Sequence, residues 1–268
     1  MARKAAIVLG HSHLSAIVNC LVDRPGDPAP DDECIEYYIF DTVRMGADFQ
    51  FSIPGSSGGL ILNPAIFDMI RSKVPADRDL IYISMFGGNA HNALTLLEHP
   101  RPFDFILPEA PDLPRIAGAE LVPADYIAAF LLRLAYRYIL NAETLRNATD
   151  RPVYHLESPP PIGDDKFVTS HLEQYFRDQT TEAEPKIAPR ILRYKLWRLH
   201  SRIIQGASES RNITFVASPP EAQDDEGFLR PEGYGNDSTH AGPGYADLCL
   251  RQFEKMLGLR YSGWNWLY

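Results

Sequence analysis

Five short apolar runs lie at intervals along the chain and form the clearest pattern in the sequence. They are rich in Ile, Val, Tyr and Phe, and their apolar residues are mostly continuous rather than alternating. Such runs are typical of parallel strands that helices cover on both faces. The predicted strands are residues 4–9, 36–43, 79–85, 152–156 and 212–217. The pattern therefore predicts a central parallel sheet of five strands.

Between these runs, apolar residues recur at the spacing of a helix. The predicted helices are residues 13–21, 63–74, 125–147, 191–204 and 244–257. Gly206 and Gly258 are predicted to close the last two, because glycine readily adopts the left-handed conformation that ends a helix. This alternation over the whole length predicts an α/β fold, a three-layer α/β/α sandwich formed by one domain over residues 1–268.

A proline-rich stretch interrupts the alternation. Residues 100–123 contain six prolines, so regular secondary structure cannot run through the whole segment. We interpret residues 95–123 as an ordered excursion from the sheet rather than as a linker between two domains.

Composition and charge exclude several classes of partner. The formal net charge of −9 argues against nucleic acid or an anionic membrane surface. The three cysteines form no CxxC or zinc-binding spacing, which indicates a reducing compartment. No run reaches the ~18–20 apolar residues of a membrane span. We therefore expect a cytoplasmic protein with no cofactor and no bound metal, and the sequence makes no prediction of its oligomeric state.

Polar residues end the first apolar run at the point where a helix should begin. Gly10-His11-Ser12-His13 stands there, directly after the first predicted strand. A serine at this turn would lie at the amino end of a helix, where unpaired N–H groups and the helix dipole can stabilise an oxyanion. Ser12 is therefore the candidate nucleophile, provided that a base removes its proton.

Two further segments supply the groups that such a serine needs. Asp237 and His240 are three residues apart before the last predicted helix, a spacing that lets the carboxylate fix the tautomer of the imidazole. Asn89, in Gly87-Gly88-Asn89, follows the third predicted strand and offers an amide donor at the same sheet edge as Ser12. Each motif is weak alone, but their order along the chain favours nucleophilic catalysis.

In this combination the chain resembles the SGNH hydrolases, the superfamily of GDSL-like esterases and lipases. That family carries its serine in an N-terminal Gly-Asp-Ser block, an amide in a Gly-x-Asn-Asp block and its base in a C-terminal Asp-x-x-His block. The resemblance implies a flavodoxin-like fold. It also implies that Ser12 is the nucleophile, His240 the general base, Asp237 the orienting carboxylate and Asn89 an oxyanion-hole donor.

The match is incomplete at three points. The family's oxyanion-hole glycine should follow the second strand, where Gly46 is the best match. The alternatives are Gly55, Gly58 and Gly59. His11 stands where the family usually has Asp, and Ala90 stands where Asp follows the Asn. These two departures put the family's usual substrate range in doubt.

The resemblance implies a serine esterase that acts on a small molecule or a carbohydrate through an acyl-serine intermediate. A small acyl group, acetyl above all, is favoured because the proline-rich excursion would narrow the cleft and the sequence shows no long apolar lid helix. Three alternatives stay open. An O-acyltransferase would use the same triad, and a carbohydrate-binding relative would have lost catalysis. A metal-dependent phosphoesterase is the third, because Gly-His-Ser-His and Gly-Gly-Asn-Ala-His resemble parts of that family's ligand set, although in reversed order.

Overall fold

Parallel strands form the centre of the molecule. The computed structural model describes residues 3–27, 30–46, 48–56, 58–181 and 184–268. Its strands are β1 (Lys4–Gly10), β2 (Cys34–Asp41), β3 (Ser52–Pro54), β4 (Leu60–Leu62), β5 (Asp79–Met85), β6 (Phe103–Asp104), β7 (Glu120–Leu121), β8 (Val153–Leu156), β9 (Thr214–Val216) and β10 (Arg260–Trp266). Within the described residues, six of them pair in parallel in the order β10-β2-β1-β5-β8-β9.

Helices cover both faces of this sheet. They are α1 (Leu14–Val22), α2 (Pro64–Lys73), α3 (Ala90–Thr95), α4 (Ala124–Asn147), α5 (Asp165–Ser170), α6 (Gln174–Arg177), α7 (Arg190–Glu209) and α8 (Pro243–Leu257). Alternate residues of β1 enter two separate cores, because successive side chains of a strand point to opposite faces. Ala6 and Val8 pack with α1 and α8, whereas Ile7 and Leu9 pack with α2 and α4. The predicted α/β class with a parallel sheet is confirmed.

The prediction of five strands is wrong, because the sheet has a sixth strand among the described residues. β10 lies at the edge of the sheet and pairs in parallel with β2, with an irregularity between Tyr261 and Gly263. In the sequence this segment reads as a C-terminal aromatic tail, since Ser262, Gly263 and Asn265 interrupt its apolar residues. An edge strand needs only one pairing partner, and this one has a mixed pattern without a continuous apolar run.

One of the two predicted helix ends is confirmed and the other is wrong. Gly258 ends α8 in the left-handed conformation, with φ +67°, and its N–H bonds back to the last turn of the helix. Gly206, by contrast, lies inside α7, which continues to Glu209. Gly206 is exposed, and an exposed glycine within a helix costs only about 1 kcal/mol. The glycine was therefore a weak indicator of the helix end.

The order of the strands fixes where a ligand site can form. Leaving β10 aside, the strands follow the order 2-1-3-4-5 of flavodoxin-like sheets, in which the chain reverses direction across the sheet between the first and third strands. Ligands of such sheets bind outside the carboxyl ends of the strands at this switch point. Here that point lies between β1 and β5, directly before Ser12 and Asn89.

The proline-rich excursion packs against two helices. Phe105 and Leu107 are buried against α4 and α7. Lys195 of α7 contributes a buried ion pair, with its Nζ 2.8 Å from Asp104 Oδ1 and 2.9 Å from the carbonyl oxygen of Pro114. The segment is thus ordered by apolar contacts and by one buried charge pair, and the single-domain interpretation of residues 1–268 stays a prediction. None of the described helices combines the length and apolar character of a membrane span.

Candidate active site

Two loops leave the sheet side by side at the switch point. Gly10 at the end of β1 is paired with Met85 at the end of β5, so the segments that carry Ser12 and Asn89 begin next to each other. Gly87 has φ +89°, and a Cβ on Gly88 would lie 2.4 Å from the ring of His13. These glycines allow the backbone after β5 to turn and to contact the His13 ring closely.

The carboxylate of Asp237 organises the loop before α8. Its Oδ1 accepts the backbone N–H groups of Thr239 at 2.9 Å and His240 at 2.8 Å. Its Oδ2 lies 2.8 Å from Nδ1 of the His240 ring. A single carboxylate therefore closes the turn and orients the imidazole, which leaves Nε2 of His240 available as a proton acceptor.

Charge and hydrogen bonding keep Asp237 ionised. Partial burial opposes ionisation, but the hydrogen bonds from the His240 side chain and from the Thr239 amide outweigh it, and the pKa of Asp237 lies well below its ordinary value. An ionised carboxylate can only accept hydrogen bonds, so Nδ1 of His240 carries the proton of that pair.

Asn89 faces the other side of the imidazole. Its Nδ2 lies 3.4 Å from Nε2 of His240 and 3.3 Å from Oγ1 of Thr239. Its Oδ1 accepts a hydrogen bond of 3.0 Å from Nδ2 of Asn92, which turns the amide donor towards His240. The structure thus brings Asn89, Asp237 and His240 together from two loops that are distant in sequence.

Ser12, in the loop after β1, makes no hydrogen bond to this group. Its side chain is exposed, and its Oγ has no hydrogen-bond partner among the described residues, His240 included. Its two neighbours do make ring contacts: His11 is 5.0 Å from Tyr138, and His13 is 4.8 Å from His240, measured between ring centroids. The contact between Ser12 and His240 stays a prediction; such catalytic hydrogen bonds are often long without substrate.

Gly46 lies in the turn after β2. Its φ of +88° explains the choice of glycine, and its N–H bonds to the carbonyl oxygen of Val43 at 3.3 Å. That N–H group is used within the turn in this arrangement. The alternatives lie in the β3–β4 connection, where the N–H of Gly55 bonds to the carbonyl oxygen of Gly59 and the N–H of Gly58 to that of Gly55. The role of Gly46 as an oxyanion donor stays a prediction.

His11 occupies the position where the resemblance expects an aspartate. Its ring packs edge-on against both Phe86 and Tyr138. Burial, together with the nearby charge of Arg137, lowers the pKa of His11 to about 4, so the ring is neutral at pH 7. An aromatic contact therefore replaces a carboxylate here. Ala90, at the second departure, is the buried first residue of α3.

Glu173 is a site residue that the sequence did not indicate. It precedes α6, and its two carboxylate oxygens accept hydrogen bonds from the hydroxyls of Ser238 and Thr239, the latter at 2.9 Å. Ser238 and Thr239 are the two residues between Asp237 and His240, so Glu173 braces the loop that carries the base. No motif surrounds Glu173, and only the tertiary fold brings it to the site.

Three side chains here could ligate a divalent cation. Ligand atoms of Glu173, Asp237 and His240 lie within 4.8 Å of one another. Carboxylate and imidazole ligands suit zinc and other first-row metals, although the same atoms also hydrogen-bond within the loop. Within the described residues, neither His11 nor His13 belongs to a group of three such donors.

An open cleft of about 540 Å³ adjoins the candidate base. Its walls come from the loop after β5, from α4, from α6 and from the loop before α8. The lining residues are Asn89, Ala90, Leu134, Arg137, Tyr138, Glu173, Tyr175, Phe176, Thr239 and His240. Most of the lining is apolar or aromatic. Its polar groups are those around His240 and the guanidinium group of Arg137 in α4.

Four of the eight histidines are buried, in the segments after β1 and β5, in β8 and in α7. They are His13, His91, His155 and His200. Burial, with a smaller effect from His240, lowers the pKa of His13 to about 3, and burial alone lowers that of His200 to about 4. Neither ring nitrogen of His200 has a hydrogen-bond partner among the described residues. The interior therefore holds several imidazoles that must stay neutral.

Comparison with known proteins leaves the function to be argued from the site. No protein-family model matches the sequence, and no curated protein gives a significant match. A solved structure of a GDSL-like lipase from Bacteroides thetaiotaomicron VPI-5482 aligns with 95% of this chain and 89% of its own, at 10% identity and a TM-score of 0.38. A second solved structure aligns with 96% of this chain and 97% of its own, at 10% identity and a TM-score of 0.39. Likeness at this level carries no argument about family or activity.

Because several buried histidines are neutral in the folded protein, we expect its free energy of unfolding to fall in mild acid. The unfolded chain binds a proton to His200 below its ordinary pKa of 6.5, whereas the folded protein does so only near pH 4. The unfolded state therefore holds more protons between these values, and the free energy of unfolding falls as the pH drops. For His200 alone we expect a loss of about 2 kcal/mol between pH 7.5 and pH 5.

Urea unfolding of the wild type and of His200→Phe and His200→Leu at both pH values measures this contribution. Each variant should lose about 2 kcal/mol less than the wild type between the two pH values. His99→Phe, at an exposed histidine, is the matched control. Equal pH dependence in the wild type and both His200 variants would contradict the assignment.

Proposed function

We propose that this protein is a serine esterase that removes a short acyl group, with acetyl as the first choice, through an acyl-serine intermediate. The observation that supports the proposal is the arrangement of Asp237, His240 and Asn89, together with the pairing of β1 and β5, which starts the Ser12 loop beside the Asn89 loop. The open cleft beside His240 provides the space for an ester. A carbohydrate or another small molecule would supply the alcohol.

In the proposed reaction, His240 acts first as a base. Its Nε2 takes the proton of the Ser12 hydroxyl as Oγ attacks the acyl carbonyl carbon. Asp237 stabilises the resulting imidazolium through the 2.8 Å contact to Nδ1. The carbonyl oxygen becomes an oxyanion, for which the Asn89 amide and the Ser12 backbone N–H are the donors. The Ser12 backbone N–H has no hydrogen-bond acceptor among the described residues, so it is free to donate.

The second half of the reaction releases the acyl group. Protonated His240 donates its proton to the leaving alcohol oxygen as the carbon–oxygen bond breaks, which leaves the acyl-serine. Water then enters, gives a proton to Nε2 and attacks the acyl carbon. As the bond between this carbon and Ser12 Oγ breaks, His240 returns the proton to Oγ, and the carboxylic acid leaves. If a second alcohol takes the place of water, the same residues perform O-acyl transfer, which is the alternative closest to this proposal.

A metal-dependent hydrolase is the second candidate, and one observation favours it. Glu173, Asp237 and His240 form a donor set for a divalent cation, and such an ion would activate water without a serine. The two candidates differ in their need for Ser12 and in their sensitivity to chelators.

Replacement of the nucleophile is the first test. Ser12→Ala should lower the hydrolysis of p-nitrophenyl acetate by roughly 10⁴–10⁶-fold, because the triad works as a unit. Ser72→Ala, which removes an exposed hydroxyl in α2, is the matched control and should keep wild-type activity. EDTA should leave the wild-type rate unchanged. Activity that survives Ser12→Ala but is lost in EDTA would replace the esterase proposal with the metal-dependent one.

Loss of the Asn89 amide is the second test. Asn89→Ala should lower kcat by about 10²–10³-fold, the usual cost of removing one oxyanion donor. KM should change little, since the oxyanion exists only in the transition state and the intermediates. Asn19→Ala, at an exposed position of α1, is the control. A tenfold rise in KM with unchanged kcat would show that Asn89 contacts the bound ester instead.

A further inference from the structure

An arginine lies in the wall of the cleft without a carboxylate partner. Arg137 of α4 lines the same cleft as Asn89 and His240. Among the described residues, no carboxylate oxygen lies within 4.0 Å of its guanidinium group. Most other cleft residues are apolar or uncharged, and the one carboxylate in the lining, Glu173, forms no ion pair with Arg137.

The guanidinium group is held in place by its neighbour on the helix. Its Cζ lies 4.6 Å from the centroid of the Tyr138 ring, and its Nη2 donates a hydrogen bond of 2.6 Å to Tyr138 Oη. A guanidinium has five N–H donors in a planar fork, and this contact uses one of them. The remaining donors can bind a carboxylate in the two-pronged geometry that arginine favours.

Tyr138 contacts both Arg137 and His11, the residue before the candidate nucleophile. The ring of Tyr138 lies 5.0 Å from that of His11, and His11 directly precedes Ser12. Leu134, Tyr175 and Phe176 supply apolar surface in the same cleft. The carboxylate of Glu173, also at the cleft, is bound by the hydroxyls of Ser238 and Thr239. An anionic group at Arg137 and an ester at Ser12 can therefore belong to one bound molecule with an apolar spacer.

We propose that Arg137 forms a subsite for a carboxylate on the substrate, so that the preferred esters are acidic molecules with an apolar or aromatic body. This inference rests on the proposed function for the position of the ester. It places the substrate among acidic small molecules rather than neutral sugars. Because the whole chain has a net charge of −9, long-range electrostatics disfavours anions, and a preference for them must come from a local contact.

A matched pair of acetyl esters tests the preference by kinetics. The anionic ester is 4-acetoxybenzoate, and the neutral one is its methyl ester. The wild type should have a kcat/KM about tenfold or more higher for the anion, through a lower KM, as expected for a charged hydrogen bond. Arg137→Gln should lose at least about tenfold more on the anionic ester than on the neutral one, and Arg137→Lys should recover part of this difference.

Arg133→Gln is the control for charge. It removes the same charge from the same helix at an exposed position outside the cleft lining, and both esters should react at the wild-type rate. Equal selectivity in the wild type and Arg137→Gln, or equal losses in the Arg133 and Arg137 variants, would overturn the proposal.

A binding measurement separates this proposal from the esterase proposal. Calorimetry with 4-acetamidobenzoate and its methyl ester, which carry an amide in place of the reactive ester, needs no turnover. The wild type should bind the acid about tenfold more tightly than the methyl ester, and Arg137→Gln should lose this difference. If this holds while neither acetoxy ester is hydrolysed in a Ser12-dependent way, the subsite stands and the esterase proposal fails. Equal affinity for both amides in the wild type would overturn the subsite.

Discussion

The hydrogen bonds of one carboxylate hold the candidate site together. Asp237 accepts two backbone N–H groups of its own loop through one oxygen and orients the His240 ring through the other. The shape of the loop and the direction of the imidazole therefore depend on the same group, which stays ionised although it is partly buried. Glu173 adds a second brace from outside, because it binds the hydroxyls of the two residues between them. The His240 imidazole is thus oriented by contacts within the protein itself.

The sheet places the other groups around this loop. β1 and β5 are neighbours at the switch point, so the loops that carry Ser12 and Asn89 leave the same edge although the two residues are 77 positions apart in sequence. Gly88 leaves room for the His13 ring, which in turn packs against His240. His13 stays neutral because burial lowers its pKa, so it adds no positive charge beside the base. The neutral His13 ring carries no charge that could stabilise a protonated His240. The ionised carboxylate of Asp237, in contact with Nδ1, can do so.

Apolar runs predicted the central strands well because continuous burial on both faces leaves a strong signal. The segment Asp79–Met85 was predicted with its observed limits. The edge strand β10 could not be predicted in this way because only part of its surface is buried. The helix end at Gly206 was predicted wrongly because an exposed position within a helix tolerates glycine. The proximity of Asp237 and His240 could be predicted because only two residues separate them in the sequence. The position of Glu173 could not, because it reaches this loop through contacts between elements that have no fixed spacing in sequence. The Ser12–His240 contact depends on side-chain rotation and stays a prediction.

The activation of Ser12 by His240 is measured most directly by covalent labelling with a fluorophosphonate. Peptide mass spectrometry gives the rate and the position of labelling. This reagent phosphonylates a serine that a neighbouring base activates. We expect a single adduct on Ser12 in the wild type. In His240→Gln, which removes the candidate base but keeps a polar side chain, labelling should be slower by about 10³-fold or more. Labelling of another residue, or equal rates of Ser12 labelling in the two proteins, would contradict this expectation.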